Sequence, residues 1–440
     1  MDGAGKTYKS AAVFTHGCRL NQADTALIYD RLDKGGYTIL PLSAPKIDVI
    51  IVNSCAVTGV ALRKSRETLR KFRRQHPESL IALTGCAADL SGGEFKGASR
   101  PDLLISNEGK KDIVRLIGAF QSGIAREFKP QRRAGELFKE DAQGKFPFKS
   151  RAFLKVQEGC EAFCSYCIVP YARGPERSRD WDEIIADFRQ MLAAGYKEIV
   201  LSGVNICAYR CAGRRLPDLL DILALEPGEF RLRLSSTEPH PSNRELLKVM
   251  AAHPEKICRF LHLPLQHGAD EILKAMGRSY GSEEYASFLV EARRLIPDIH
   301  LGSDIIVGFP SESDELFMKS FKFVESMSFS NLHIFTFSPR PGTPAAGFPG
   351  KVPLSLAKER YELLLELSVR KAREFAEAQI GKRLTVLAER RLNGGGFEGW
   401  SDNYLNVQIP CPGLSRNQFA NVLIKSIDAE GRLLANKTLS

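Results

Sequence analysis

Three closely spaced cysteines constrain this chain more than any other feature. Cys160, Cys164 and Cys167 form a C-x3-C-x2-C segment. Three thiolates at this spacing can ligate three irons of a [4Fe–4S] cluster, whereas an electron-transfer cluster takes a fourth protein ligand. A zinc site or a disulfide knot is the alternative, but zinc sites favour two pairs of ligands and no second pair follows here. The segment therefore predicts a cluster whose open iron binds a small molecule.

The composition favours a multidomain protein with a polyanionic partner. At 440 residues the chain can hold two or three domains, and 62 Lys and Arg against 52 Asp and Glu leave a net charge of +10. The first ten residues, MDGAGKTYKS, lack the apolar core of a signal peptide, and no apolar run reaches the roughly 18 residues that span a bilayer. We therefore expect a cytoplasmic protein without membrane contact, whose thiols stay reduced and available for metal.

The N-terminal region alternates apolar strand candidates with amphipathic helices, which is typical of βαβ units on a parallel sheet. Helices are predicted at 21–33 and up to about residue 76, and the strand candidates are 11–18, 47–55, 80–86 and 103–107. Three of these strands end in cysteine, at Cys18, Cys55 and Cys86. Because ligands bind at the carboxyl ends of strands in such sheets, we expect the three sulfurs to converge on a second cluster. Three buried apolar cysteines are the alternative.

A charged stretch rich in Gly, Pro and Gln, without clear periodicity, predicts a linker over 123–148 between a first domain (8–122) and a second (149–376). In the second domain the alternation resumes, with strand candidates at 152–157, 198–203, 230–236, 260–265, 300–308 and 331–337. Six βα repeats predict a barrel or partial barrel whose site lies at the carboxyl ends of the strands. The three closely spaced cysteines follow the first strand, where such a site would be.

The C-terminal region changes pattern after one long amphipathic helix at 354–379. Short, glycine-punctuated strand candidates follow at 383–390, 397–400, 404–409, 420–427 and 432–437, which predict a small β-barrel over 380–440. Eight basic and five acidic side chains give this region a net charge of +3. A small basic barrel attached to an enzyme favours a nucleic-acid-binding role. A structural or oligomerisation barrel is the alternative.

Five segments carry recognisable motifs: Gly17-Cys18-Arg19-Leu20-Asn21, Asn53-Ser54-Cys55-Ala56-Val57-Thr58, Thr84-Gly85-Cys86-Ala87, the segment from Cys160 to Tyr171, and Arg340-Pro341-Gly342-Thr343-Pro344. Together they resemble the radical S-adenosylmethionine (SAM) methylthiotransferases along nearly the whole chain. The resemblance implies an α/β multidomain fold with a flavodoxin-like parallel-sheet N-terminal domain, a partial (β/α) radical-SAM barrel and a C-terminal RNA-binding TRAM β-barrel.

Within this family, the chain most resembles the branch that modifies N6-threonylcarbamoyladenosine at position 37, beside the tRNA anticodon. The resemblance rests on the run from Cys160 to Arg179 and on Cys18-Arg19-Leu20-Asn21-Gln22. The branch that acts on isopentenyladenosine in tRNA usually shows Gln-Met-Asn after the first cysteine. The branch that thiomethylates a ribosomal-protein aspartate shows Pro-Lys-Asn. Both branches remain alternatives.

The resemblance implies two [4Fe–4S] clusters and SAM as cofactors. Cys160, Cys164 and Cys167, called the radical triad below, would hold a cluster whose open iron chelates the amine and carboxylate of SAM. One electron from this cluster would cleave SAM to a 5′-deoxyadenosyl radical. An electron donor such as a flavodoxin or ferredoxin is therefore an expected partner.

The second cluster is implied to carry the transferred sulfur. Cys18, Cys55 and Cys86, called the auxiliary triad below, would hold it, with one iron free for the sulfur that a first SAM methylates. The radical from a second SAM would abstract hydrogen from carbon-2 of the adenine, because that C–H bond is too strong for acid–base removal. The expected partners are the tRNA anticodon loop and a sulfur donor.

Further candidates for SAM contact lie near the radical triad and at the strand ends. Phe163 and Tyr166 would shield the cluster or pack near the adenine, with ordinary aromatic packing as the alternative. At the strand ends, a glycine permits close backbone approach and polar groups can bind ribose or methionine. The candidates there, with structural capping as the alternative, are Gly203, Asn205, Ser235, Ser236, Glu238 and Gln266.

One departure from the family pattern lies in the run His262-Leu263-Pro264-Leu265-Gln266-His267-Gly268. The family commonly has serine where this chain has His267, which puts a ligand role at that position in doubt. Asp304 and Gly308 belong to a later strand end, where packing and turn formation are the expected roles.

RNA contact is predicted on three surfaces. The helix after Cys55 is strongly basic, a pattern that attracts phosphate but also suits a solvated helix face; its basic residues are Arg63, Lys64, Arg66, Arg70, Lys71, Arg73 and Arg74. Arg173, Arg177 and Arg179 would meet the anticodon backbone. Trp400 and Tyr404 would stack on an unpaired base, with core packing as the alternative.

The remaining motif is Cys207 and Cys211, whose C-x3-C spacing no neighbouring cysteine completes, so incidental thiols are favoured. Two other classes of protein remain open. One is the same radical chemistry on a protein side chain, and the other is a non-catalytic iron–sulfur RNA-binding protein.

Overall fold

The computed structural model of the chain describes residues 8–91, 95–124, 127–128, 136–140, 150–238, 243–393, 395–411 and 413–436. Within these ranges, no helix combines the length and apolarity that a membrane crossing needs.

The N-terminal domain is a six-stranded, all-parallel sheet. Its strands are β1 (Ser10–Thr15), β2 (Thr38–Ile39), β3 (Val49–Ser54), β4 (Leu80–Gly85), β5 (Leu103–Ile105) and β6 (Glu127–Phe128). The order β2-β1-β3-β4-β5-β6 contains the 2-1-3-4-5 order of flavodoxin-like folds. The central strands β3 and β4 are buried along their whole length, as a parallel sheet covered on both faces requires. The predicted flavodoxin-like fold is confirmed.

Four helices cover this sheet: α1 (Arg19–Lys34), α2 (Gly59–Gln75), α3 (Cys86–Ser91) and α4 (Ile113–Gln121). Helix α2 begins where the Oγ1 of Thr58 accepts a hydrogen bond from the backbone N–H of Ala61. Helix α1 begins directly after Cys18, and helix α3 begins at Cys86. The strand-to-helix turns therefore place these two thiols at the sheet edge.

The predicted linker is more structured than expected. Residues 127–128 add β6 to the sheet edge, and Phe138 pairs with Arg179 of the second domain. Pairing at a sheet edge uses only backbone groups, so the side-chain pattern of the sequence does not predict these strand pairings. Residues 125–126, 129–135 and 141–148 of the predicted linker lie outside the described residues.

The second domain contains six main parallel strands interspersed with short ones. In chain order they are β7 (Arg151–Lys155), β8 (Gln157–Glu158), β9 (Arg177–Ser178), β10 (Glu198–Ser202), β11 (Arg210–Cys211), β12 (Arg214–Arg215), β13 (Arg231–Leu234), β14 (Phe260–His262), β15 (His300–Val307) and β16 (Asn331–Thr336). Two three-stranded sheets, β13-β10-β7 and β14-β15-β16, are joined by the pairing of Ser236 with His262. The result is a six-stranded partial barrel, as predicted.

Helices cover the convex face of this partial barrel. The short α5 (Val169–Arg173) packs instead against α3 of the first domain, and the covering helices are α6 (Trp181–Ala193), α7 (Leu216–Ala224), α8 (Arg244–Ala252), α9 (Asp270–Met276), α10 (Ser282–Leu295) and α11 (Asp314–Ser326). Alternate strand residues such as Leu232 and Leu234 pack into the main core beneath them. Their neighbours Arg231 and Arg233 therefore point to the concave face, which α1 of the first domain partly covers through contacts of Ala23 and Ala26 with Phe153.

The C-terminal region follows the long helix α12 (Leu354–Glu377) and is a closed five-stranded barrel in the order β17-β18-β19-β21-β20. Its strands are β17 (Arg383–Arg391), β18 (Phe397–Ser401), β19 (Asn406–Ile409), β20 (Phe419–Ile427) and β21 (Leu433–Ala435). Alternate residues such as Val386, Val407 and Val422 fill its interior. The predicted small β-barrel is confirmed.

Candidate active site

The radical triad lies in the loop after β8, at the carboxyl end of the first strands of the partial barrel. Cys164 is buried, and Cys160 and Cys167 are partly buried. The backbone N–H of Cys160 donates to the carbonyl of Gly174 at 3.1 Å, and that of Cys167 donates to the carbonyl of Cys164 at 2.9 Å. The loop is therefore held in place by backbone bonds that leave the three thiols available.

Gly159, immediately before this loop, is a position that only glycine fits. Its φ of +76° lies in the left-handed region, and a Cβ there would come within 1.7 Å of the carbonyl oxygen of Pro175.

The auxiliary triad gathers at the carboxyl edge of the N-terminal sheet, as the strand pattern predicts. Cys18 follows β1, Cys55 follows β3 and Cys86 begins α3 directly after β4. Gly17, with φ of +104°, permits close packing, because a Cβ there would lie 2.8 Å from the Cβ of Cys55. Cys55 and Cys86 are buried, and Cys18 is the exposed member of the three.

Neither triad is closed around a single ion. Within the described residues, His262, Asp304 and His333 are the one set of three metal-binding side chains whose ligand atoms all lie within 4.8 Å of one another. A tetrahedral zinc ion with bonds of about 2.3 Å would hold its sulfurs roughly 4 Å apart. In each triad at least one pair of sulfurs is therefore further apart than 4.8 Å, which suits a cluster, in which each thiolate binds a different iron.

The thiols lie in surroundings that disfavour bare thiolates. Burial, followed by the proximity of Cys86, raises the pKa of Cys55 to about 12, and burial raises that of Cys167 to about 12. Neutral thiols are therefore expected without metal, and bound iron would supply the positive charge that thiolates need.

One arginine contacts a sulfur in each triad. The Nη1 of Arg278 donates to the Sγ of Cys164 at 3.2 Å, and the Nε of Arg173 donates to the Sγ of Cys86 at 3.4 Å. A cluster held by thiolates carries net negative charge, so a buried guanidinium beside each triad matches the group that the cysteines would hold.

Arg173 also connects the two domains. It lies six residues after Cys167, and its guanidinium contacts the carboxylates of Asp24 and Glu158 at 2.9 and 2.8 Å. Asp24, on α1, is also paired with Lys110 and Lys155. Burial alone would raise the pKa of Asp24, but Arg173, Lys110 and Lys155 hold it well below its usual range.

The prediction that Arg173, Arg177 and Arg179 meet RNA is wrong. Arg173 and Arg179 are buried. Arg177 pairs with Glu108 and Glu158, and Arg179 pairs with Glu183 and Asp187. Three cations close together resemble a phosphate-binding surface in sequence, but Arg173 and Arg177 have acidic partners in distant segments, which the local pattern does not reveal.

Buried polar atoms without a partner among the described residues lie at the carboxyl ends of neighbouring strands. They are the Oγ of Ser202 at the end of β10, the Oδ1 of Asn205 just beyond it and the Oγ of Ser235 after β13. An unsatisfied buried polar atom costs about 1–3 kcal/mol, so such atoms mark places where a polar ligand binds. Asn205 and Ser235 are among the predicted candidates, and Ser202 directly precedes the predicted Gly203 at the same strand end.

Gly203 packs closely against Gln157. A Cβ there would lie 3.0 Å from both the carbonyl oxygen and the Oε1 of Gln157, and that Oε1 accepts the N–H groups of Val204 and Asn205. The glycine therefore makes room for Gln157, which in turn holds the turn containing Asn205.

The other strand-end candidates differ in their availability. Ser236 is exposed, whereas Glu238 forms an ion pair with Arg278, the arginine that contacts Cys164. Gln266 takes a φ of +72° and uses its backbone in hydrogen bonds with Asp304 and Ile306, which is a turn-forming role.

The two aromatic candidates also differ. Phe163 is 56% exposed, with a φ of 43°, and its ring lies edge-on to Tyr171. Tyr166 instead packs against the apolar cluster around Met276 and Phe309. Phe163 is therefore free to contact a ligand, and Tyr166 closes the inner side of the loop.

His267 has a structural role. It is buried, its Nδ1 accepts the N–H of Ala269, and its Nε2 lies 3.6 Å from the Oε1 of Glu312. The histidine therefore supports the start of α9.

The predicted RNA surfaces have unequal support. Arg63, Lys64, Arg70, Lys71 and Arg74 of α2 are exposed, whereas Arg73 pairs with Asp102. Trp400 and Tyr404 stack on each other at 4.7 Å, and their neighbours include Arg151, Arg19 and Phe260. These aromatic rings therefore pack at the domain interface, whereas α2 presents exposed cations.

Two other features lie apart from the triads. Cys207 and Cys211 are buried in the core, in keeping with incidental thiols. A pocket of about 640 Å³ lies between the amino ends of the strands and the C-terminal barrel, near Phe230, Lys256 and Arg383. Because the triads lie at the opposite strand ends, the pocket is separate from the candidate active site.

Two family models match the chain: the radical SAM superfamily over residues 154–324 and the uncharacterized protein family UPF0004 over residues 10–106. Among solved structures, the chain resembles the radical SAM methyltransferase TsrM from Kitasatospora setae, with a TM-score of 0.55 and 14% identity over 74% of this chain and 73% of that one. It also resembles the cobalamin-dependent SAM radical enzyme OxsB, with a TM-score of 0.52 and 13% identity over 83% and 56%. At these identities the likeness shows the fold alone.

Curated relatives match over almost the whole chain. The chain is 35% identical to the threonylcarbamoyladenosine tRNA methylthiotransferase MtaB of Thermotoga maritima, covering 96% of each. It is 33% identical to the Bacillus subtilis protein of that name, covering 90% of each, and 31% identical to the tRNA-2-methylthio-N(6)-dimethylallyladenosine synthase of Acinetobacter baumannii, covering 87% of this chain and 82% of that one. The chain therefore belongs to the radical SAM tRNA methylthiotransferases, enzymes whose cofactors are [4Fe–4S] clusters and SAM.

Proposed function

We propose that this enzyme adds a methylthio group to carbon-2 of N6-threonylcarbamoyladenosine at position 37 of tRNA. The Thermotoga maritima and Bacillus subtilis relatives carry this activity in their names. The Acinetobacter baumannii relative makes isopentenyladenosine in tRNA the second candidate substrate. Both candidates share the same chemistry at carbon-2 and differ in the group on N6.

The observation that carries the proposal is the arrangement of the two cysteine triads. Each lies at the carboxyl edge of its own sheet, and Arg173 reaches from the loop after Cys167 to the Sγ of Cys86. We assign the SAM-binding cluster to the radical triad and the sulfur-carrying cluster to the auxiliary triad. When bound, the first supplies the electron that cleaves SAM and the second supplies the sulfur.

The protein's own groups would bind and orient SAM. We assign this role to the Oγ of Ser202, the Oδ1 of Asn205 and the Oγ of Ser235, because all three are buried polar atoms at adjacent strand ends. Arg278 and Glu238 hold each other in an ion pair beside Cys164, which fixes the boundary of this site. Tyr166 and its apolar neighbours exclude water from the inner side of the loop.

The tRNA would approach over the exposed basic face of α2, which begins four residues after Cys55. Cations there attract the anticodon-stem phosphates without reading their sequence. The proposal includes an electron donor such as a flavodoxin or ferredoxin, a sulfur donor, and action in the cytoplasm, where tRNA and reduced thiols are found.

The nucleoside profile of tRNA tests the proposed substrate. Total tRNA from a strain lacking this protein should contain N6-threonylcarbamoyladenosine and lose its 2-methylthio derivative, which the wild-type gene should restore. Mass spectrometry of digested tRNA makes the measurement. Loss of the 2-methylthio derivative of isopentenyladenosine instead would establish the second candidate. An unchanged tRNA profile with altered ribosomal protein would refute both.

A further inference from the structure

A histidine–aspartate–histidine cluster lies outside the machinery assigned above. The Nε2 of His262 is 3.0 Å from the Oδ1 of Asp304, and the Nδ1 of His333 is 3.3 Å from the same oxygen. The two imidazole centroids are 5.2 Å apart. The three side chains come from the adjacent strands β14, β15 and β16, and Asp304 pairs directly with His333 in the sheet.

Strand alternation places this cluster on the concave face. On β15, Ser303 is fully buried and Ile305 packs into the core under the helices, so Asp304 between them faces the other way. On β16, Leu332 and Ile334 also pack into that core, whereas His333 and Phe335 are exposed. The last strand of the partial barrel therefore presents one imidazole edge and one aromatic ring to the space it encloses.

Contacts from the first domain border the same space. Arg19, the neighbour of Cys18, lies with its guanidinium 5.2 Å from the ring centroid of Phe260. Phe260 and His262 are two residues apart on one face of β14, a separation of about 7 Å. At the other edge, the backbone N–H of Gly59 donates to the Oγ of Ser338, just beyond β16. The cluster thus lies between two interdomain contacts, one made by Arg19 next to Cys18 and one made by Gly59, four residues after Cys55.

The hydrogen bonds fix which nitrogen of His333 is presented. Asp304 is held as a carboxylate, because the pKa increase that burial alone would cause is outweighed by its bonds to His262 and His333, which lower its pKa. For both rings to bond this oxygen, His333 must carry its proton on Nδ1. In the neutral ring this tautomer leaves the lone pair on Nε2, and no hydrogen bond of this nitrogen is found among the described residues. The side chain of His333 is 55% exposed, so this acceptor is accessible from the enclosed space.

We propose that His333, held in place by Asp304 and His262, accepts a hydrogen bond from the polar group on N6 of the target adenosine and so selects that substrate. This inference rests on the proposed function. A threonylcarbamoyl group offers urea N–H groups and a hydroxyl, whereas an isopentenyl group offers only hydrocarbon. A site built to hydrogen-bond a substrate group rejects the analogue that lacks it.

The test compares RNA ligands on the reconstituted enzyme under anaerobic conditions. Affinity is measured for three anticodon stem-loops that differ only at position 37: N6-threonylcarbamoyladenosine, isopentenyladenosine and adenosine. The wild type should prefer the first over adenosine by about 10- to 100-fold, less than a fully buried site would give because water reaches His333. His333→Phe should abolish this preference without changing affinity for the adenosine stem-loop, and His333→Gln, which retains an acceptor, should keep part of it.

A matched control is available on the convex side. His253 also bonds a carboxylate, with its Nε2 2.7 Å from the Oδ1 of Asp221, at the end of α8. His253→Phe should leave all three affinities unchanged. If His333→Phe kept the wild-type preference, or weakened all three stem-loops equally, the inference would be refuted.

Two further readouts separate the alternatives. The three ligand atoms are also close enough for a metal ion, so a metal bound in addition to the cluster iron and lost in His333→Phe would overturn the hydrogen-bonding role. Turnover by the wild type tests the proposed function independently. If the wild type methylthiolated only the isopentenyl stem-loop, both the proposed function and the inference would be refuted. If the wild type methylthiolated the threonylcarbamoyl stem-loop and His333→Phe kept the wild-type binding preference, only the inference would be refuted.

Discussion

The Nε of Arg173 donates to the Sγ of Cys86 at 3.4 Å, although Arg173 belongs to the radical barrel and Cys86 to the flavodoxin-like domain. The same guanidinium pairs with Asp24 of the first domain and Glu158 of the second. A single side chain of the radical barrel therefore contacts both a sulfur of the auxiliary triad and buried carboxylates of the two domains.

Removing this arginine should destabilise the junction of the two domains. Arg173→Gln leaves the carboxylates of Asp24 and Glu158 without one of their cationic partners, and breaking a buried pair typically costs about 3–5 kcal/mol. Urea denaturation should show the loss. The control is Arg189→Gln, because Arg189 forms a solvent-screened pair with Glu226 and its replacement should change stability little. Equal effects of the two substitutions would contradict the structural role of Arg173.

Replacing one auxiliary cysteine should separate the two halves of the chemistry. Cys55→Ala should lose about half of the iron and sulfide after reconstitution, because each triad would hold one cluster under the proposed assignment. It should still release 5′-deoxyadenosine from SAM but form no methylthio product. Cys207→Ala, which alters a buried thiol that accepts the N–H of Glu238, should keep the full iron content. Methylthiolation by Cys55→Ala would refute the assignment of the auxiliary triad.

Stability should decrease in acid through Glu158. Burial alone would raise the pKa of this carboxyl, but Lys155 and Arg173 hold it at about 2, below its ordinary value of 4.5. A carboxyl with a depressed pKa contributes stability above its unfolded pKa and loses that contribution as the pH falls from about 4.5 toward 2, by up to about 3 kcal/mol. The difference in the free energy of unfolding between the wild type and Glu158→Gln should therefore decrease as the pH falls from 5 to 3. Parallel stability curves for the two proteins would contradict this prediction.

Reversing charge on α2 should weaken tRNA binding in a salt-dependent way. Replacing Lys64, Arg70 and Lys71 with Glu should lower tRNA affinity and reduce the slope of log K against log salt by up to about 0.9 for each lost phosphate contact. Filter binding over a salt series measures both quantities. Matched reversal of the exposed Arg370 and Arg373 on α12 should have a smaller effect. An unchanged salt slope in the α2 variant would exclude this face as the tRNA surface.

The sequence predicted features whose signals are local. Alternating apolar strands and helices gave the two parallel sheets, and strand-end cysteines gave the auxiliary triad, because the carboxyl ends of parallel strands meet at one edge. The short strands of the C-terminal barrel were also predictable from their turn glycines.

Features that depend on distant partners were not predictable in this way. The partners of Arg179 include Asp187 nearby, but those of Arg173 include Asp24, far away in sequence. The close packing of Gly203 against Gln157 joins two residues 46 positions apart, so neither local segment predicts it. The His262, Asp304 and His333 cluster joins three strands, so no single segment of the sequence contains its signal.

Arg19 connects the first domain to both the partial barrel and the C-terminal barrel. Its Nη1 donates to the carbonyl of Leu234 in the partial barrel, and its guanidinium lies 5.5 Å from the ring centroid of Tyr404 in the C-terminal barrel. The residue beside Cys18 thus contacts both other domains. A chimera that exchanges one domain with a relative would have to carry the matching surfaces of the other two, so the three domains are expected to be inherited as a unit.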